Sequence, residues 1–96
     1  MEDWLKEQEK IEAVIVRVQK MEGYLDEILE FMKKHPDTVK QDSNIQDKWK
    51  MLIDYYENGQ WLADYECDER GELPKDLKRG VLAEDTIYNL IGELEE

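Results

Sequence analysis

Residues 11–32 read IEAVIVRVQKMEGYLDEILEFM, and seven apolar side chains of that stretch, Ile11, Val14, Val18, Met21, Leu25, Ile28 and Met32, fall alternately three and four residues apart. A backbone turning once every 3.6 residues keeps such positions on one side, so the spacing predicts a helix that lays a single stripe against a partner. A second ladder, Ile45, Trp49, Leu52 and Tyr56, repeats the pattern over a shorter length. Pro36 separates the two, and Lys33, Lys34 and His35 precede it, where cations favour a helix C-terminus. The expected architecture is all-α. A long helical hairpin is formed by one helix over about residues 3–34 and a second that begins near 38 or 43 and ends near 58.

Two starts for the second helix fit equally. Thr38 with Gln41 and Ser43 with Gln46 each match the reciprocal capping box, in which hydroxyl and amide satisfy each other's orphan N–H groups. Asn58-Gly59 marks its end, because glycine takes positive φ without steric cost. At about 1.5 Å per residue the first helix is roughly 45–50 Å long and the second about 24–32 Å, so they do not cover each other. The uncovered part is Trp4 to Arg17, where Ala13, Val14, Ile15 and Val16 are apolar on every side and call for cover on more than one face. A third stripe, Ile87, Leu90, Ile91 and Leu94, predicts a last helix over about residues 84–95. Its expected seat is the N-terminal half of the first helix, beside Leu5, Ile11 and Ile15. The alternative cover is a second copy of the chain, giving a weak homodimer in place of a monomer.

Ninety-six residues suit one domain. The chain has 25 acidic and 13 basic residues, a net charge of −12, and the thirds 1–34, 35–58 and 59–96 carry −3, −2 and −7. Such a surface repels nucleic-acid backbones and anionic lipid and attracts cations or a basic protein patch. Neither direct nucleic-acid binding nor membrane binding is expected. A single cysteine, Cys67, leaves no internal disulfide, and the longest apolar run, Ala13 to Val16, is far short of a membrane span. The expectation is a soluble cytoplasmic protein.

The densest stretch is Gly59 to Leu82, GQWLADYECDERGELPKDLKRGVL, with Tyr55-Tyr56-Glu57-Asn58 before it and Ala83-Glu84-Asp85-Thr86-Ile87-Tyr88 after it. This stretch resembles the signature of a short bacterial family, domain of unknown function 4298. The resemblance implies a small helical protein of bacterial origin, and since the family has no assigned activity, no functional residue is carried over from it. Read from the residues alone, Gly71 and Gly80 punctuate the stretch, and Pro74 opens a short helix containing Asp76, Leu77 and Lys78. Leu73, Leu77, Val81 and Leu82 then anchor a long ordered connection.

The acidic run Asp64, Glu66, Asp68, Glu69 and Glu72 raises divalent-metal binding as one function. Counted from Asp64 as a calcium loop, however, the sixth position is Glu69 in place of Gly and the twelfth is Lys75 in place of Glu. Pairing of these acids with Arg70, Lys75, Lys78 and Arg79 is the simpler reading, and no cofactor is expected. Acidic neighbours disfavour a Cys67 thiolate, and one His and one Ser supply no nucleophile-and-base set, so enzymatic activity is not expected. The leading expectation is an acidic interaction module whose surface comprises Trp61, Tyr65, Asp64, Asp68, Glu69, Arg70, Lys75, Lys78 and Arg79 and docks on a protein with a basic patch. An acidic inhibitor imitating nucleic acid is the second expectation.

Overall fold

A computed structural model describes the backbone of residues 2–83 and 85–95, with side chains from Gln8 onward. Four helices follow one another: α1 (Glu2–Lys34), α2 (Ser43–Glu57), α3 (Gln60–Glu69) and α4 (Thr86–Leu94), with a 3-10 turn at Gly80–Leu82 between the last two. Among the described residues the regular structure is all helical. The molecule measures 54 × 21 × 18 Å, so its long dimension is essentially that of α1.

The first ladder packs as its spacing predicts. Val18, Met21, Leu25 and Ile28 are buried, and they meet Ile45, Trp49, Leu52 and Tyr55 of α2 in one core. Each such side chain contributes about 1.5–3 kcal/mol by leaving water. Tyr55 takes the fourth rung on α2, and Tyr56 turns away toward Trp61. Lys48 pairs with Glu27 at 2.7 Å, fixing the register of the antiparallel hairpin.

Helix α2 begins at the later of the two expected starts, but neither hydroxyl caps it. The Asp42 side chain accepts the Ile45 N–H at 3.0 Å, a carboxylate at a helix N-terminus, where the dipole favours negative charge. Gly59, at φ 94°, ends α2 and also admits the chain directly into α3. That helix replaces the first half of the expected connection. The predicted short helix at Asp76–Lys78 is a turn instead, closed by Leu77 N–H to Pro74 O at 3.2 Å.

The seat of the last helix also differs from expectation. Helix α4 packs on α2 and the 3-10 turn, and the indole Nε1–H of Trp49 donates to Glu95 Oε1 at 2.8 Å. The physical reason is that the Arg17–Asp64 bond holds α3 beside Ile11 across a groove, while the return segment after it faces Ile15. That segment brings the chain back to the level of Glu22, so α4 starts there and runs toward the hairpin bend. The side chains of Trp4 and Leu5 lie outside the described residues. Ala13 and Val16 stay exposed and Val14 and Ile15 are half-buried, so the apolar run is covered on one side only.

Candidate functional site

Helix α3 and its return segment are fixed to α1 and α2 by polar groups placed inside the fold. Asp64 lies on the core face of α3 with Trp61 and Cys67 and is only 1% exposed. A buried carboxylate is tolerable only when its oxygens are occupied. The Arg17 guanidinium grips it two-handed, Nε to Oδ2 at 2.8 Å and Nη2 to Oδ1 at 2.6 Å, and the Tyr55 hydroxyl donates to Oδ2 at 2.7 Å. One carboxylate therefore ties three helices together. The Asp64 hydrogen bond holds Arg17 more firmly protonated, while burial, then the bond to Asp64, pushes the Tyr55 phenol well above its ordinary range.

Trp61 is the second tie. Its indole N–H donates to Val81 O at 2.8 Å, and its ring stacks on Tyr65 and meets Tyr56 edge-on, both at 5.1 Å between centroids. The third is Glu22, itself 6% exposed, which accepts the Val81 N–H at 2.8 Å. A Cβ at Gly80 would stand 3.0 Å from that carboxylate, so this glycine lets the acid approach the backbone.

Arg79 laces the return segment to α3, donating to Asp68 and to the carbonyls of Pro74 and Leu77. Nearby, the buried Cys67 thiol donates to Glu72 Oε2 at 3.2 Å, and Arg70 bonds both oxygens of the same carboxylate. Burial, reinforced by Glu72, pushes Cys67 up to about 11, which leaves it a protonated donor at neutral pH. Arg70, then Cys67, holds Glu72 below the usual carboxylate range.

The residues singled out in the sequence therefore separate. Trp61 and Asp64 are interior, which removes them from any docking surface. Tyr65, Asp68 and Arg79 are half-buried, and the last two bind each other. Glu69, Arg70, Lys75 and Lys78 face solvent, with Lys78 3.9 Å from Asp26. The acids of the run point apart: Asp64 inward to Arg17, Asp68 to Arg79, Glu72 to Arg70. Among the described residues no three His, Cys, Asp or Glu side chains converge on a point that would hold a metal ion. The grooves along α1 include one of about 340 Å³ toward α3, between Ile11, Val14, Arg17, Ala63 and Cys67, and one of about 360 Å³ toward Pro74 and Leu77. Of the ionisable groups that line them, Arg17 and Asp64 in the first bind each other and Glu22 in the second binds the Val81 N–H.

Arg17, Glu22, Tyr55 and Leu62 are absent from the sequence-derived surface. The first two carried a signal, since Arg17 interrupts an apolar run and Glu22 sits directly after a rung of the ladder. Leu62 is 52% exposed on the outer face of α3, one turn from Glu66 and two from Glu69, both exposed.

Among the described residues no helix is long and apolar enough to cross a membrane. Neither a curated protein nor a solved structure matches the chain. A family model, by contrast, matches residues 18–96, from the first fully buried rung of α1, one residue after Arg17, through the Trp61 and Glu22 ties and α4. The chain belongs to this family, DUF4298, a domain of unknown function.

Proposed function

We propose that the chain is a non-catalytic protein-interaction module of a bacterial cytoplasm that docks the outer face of α3 onto a basic protein surface. The observation that carries the reading is the contrast between the two sides of that helix. Its inner side is locked by Trp61, Asp64 and Cys67, while its outer side presents Leu62 beside Glu66 and Glu69. A helix held by buried ties loses little freedom on binding, which favours affinity. An exposed Leu with two carboxylates along the same face suits a partner with an apolar pocket beside Lys or Arg, and the net charge of −12 steers the encounter. The protonated Cys67 thiol is compatible with a reducing compartment.

The test is affinity capture from bacterial extract with the wild-type chain, with Leu62→Glu and with the pair Glu66→Lys and Glu69→Lys. Circular dichroism establishes that each variant is folded. A protein retained by the wild type at about 0.15 M salt and lost by both variants is the expected result. Retention of every captured protein by both variants contradicts the proposal.

A further inference from the structure

We infer that the outer face of α1 is a self-association surface, on which a second copy of this chain packs antiparallel about a two-fold axis between residues 14 and 15. Glu9, Glu12, Ala13, Val16 and Lys20 all face solvent, and Val16 is 65% exposed. Their spacing places them on one side of the helix, opposite the stripe that enters the core. With Gln60 of α3 they border one shallow depression along the rod.

The order of these residues selects the occupant. Ala13 and Val16 are equidistant from the point midway between 14 and 15, and so are Glu9 and Lys20. An isologous interface repeats each contact twice about its axis, so only a face that is complementary to its own reverse can use it. Turning α1 end for end about that point lays Ala13 against Val16 of the second copy and Glu9 against its Lys20. Two small apolar contacts then form the centre, and two opposite-charge pairs stand about 8 Å to either side along the helix. A parallel arrangement would set Glu9 against Glu9 and Lys20 against Lys20.

This face is separate from the Leu62 face of α3 and draws no support from it. Two single helices crossing over about three turns bury less than the roughly 1,200–2,000 Å² of a stable interface, so the dimer is weak, with Kd on the order of 100 μM. Repulsion between two protomers of charge −12 is damped beyond about 8 Å at 0.15 M salt, while the close pairs retain their attraction.

Sedimentation equilibrium of the full chain, from about 10 μM to 1 mM at that salt, brackets this Kd. The wild type is expected to shift from monomer to dimer across the range. Lys20→Glu sets like charges against each other and is expected to weaken association about tenfold or more, whereas Glu9→Lys with Lys20→Glu exchanges the partners and restores the Kd to within about threefold. Leu62→Glu leaves it unchanged, which separates this surface from the docking face of α3. Because these residues are exposed, the substitutions leave the core in place. A wild type that stays monomeric at 1 mM, a Lys20→Glu variant that dimerises as well as the wild type, or a double exchange that fails to restore association overturns the inference.

Discussion

From Val18 to Met32, α1 lies against apolar side chains of α2 and the core they share with α4, whereas from Ile11 to Arg17 it lies beside α3, and the strongest link is a salt bridge from Arg17 to the buried Asp64. The first arrangement is non-directional: any close-fitting apolar surface with the same period would serve. The second is directional, since the guanidinium fork, the carboxylate and the Tyr55 hydroxyl must meet at bonding distance or leave a charge buried without a partner. One helix thus uses hydrophobic burial where its stripe is fully covered and adds a polar lock where the stripe is only half-buried. The lock specifies which segment of the chain covers the N-terminal half of α1.

Removing the lock is expected to have the largest effect. Asp64→Ala leaves Arg17 and the Tyr55 hydroxyl without their shared acceptor and should cost about 3–5 kcal/mol. In denaturant melts followed by hydrogen exchange, protection should fall first in α3 and in residues 10–17. Ile28→Ala, at the other end of the comparison, opens a cavity and should cost about 2–5 kcal/mol, with protection falling together across α1, α2 and α4. If both variants lost protection in the same pattern, the two halves of α1 would not be held by different means.

A third substitution, Gly80→Ala, tests the smaller tie at Glu22. The added Cβ would stand 3.0 Å from a carboxylate already bonded to Val81, and the carboxylate is enclosed. The expected cost is about 1–3 kcal/mol, from overpacking. A neutral outcome in the same melts would mean that the 3-10 turn shifts freely over α1.

Alkaline pH gives the mildest probe. Cys67 holds its proton in the folded protein up to about 11, against an ordinary value near 9, and Tyr55 is displaced upward as well. Above pH 9 the unfolded chain therefore binds fewer protons than the folded one, and stability falls as pH rises. Between pH 6 and 8 neither group contributes a slope. Cys67→Ala should show a shallower decline between pH 9 and 11 than the wild type, and identical declines would remove Cys67 from the account.

The same division explains how much was legible in the sequence. The ladder of α1, its stop at Pro36 and the end of α2 at Gly59 rest on periodicity and backbone sterics, which are local, and they stand as read. Helix α3 was hidden because its inner stripe, Trp61, Asp64 and Cys67, carries a charged residue where periodicity expects an apolar one. Asp64 reads as solvent-facing until Arg17, 47 positions earlier, is brought beside it. Trp61 and Arg79 read as surface groups for the same reason: their partners, Val81 and Asp68, are chosen by the path of the chain. Without α3, the tail is the segment that periodicity offers as cover for the first half of α1, where the Arg17–Asp64 bond holds α3 instead. Leu62, the exposed residue on which the docking face rests, was legible only by subtraction, after its neighbours had been placed inside.

The most direct test of the central claim is a double-mutant cycle between Arg17→Met and Asp64→Asn, with each variant and the pair measured by equilibrium denaturation. A specific lock predicts a coupling energy above about 1 kcal/mol, within the roughly 0.5–3 kcal/mol seen for residues that share a network. Effects that add to within about 0.3 kcal/mol would show that the two side chains do not act together, and the placement of α3 against α1 would then have no specific cause.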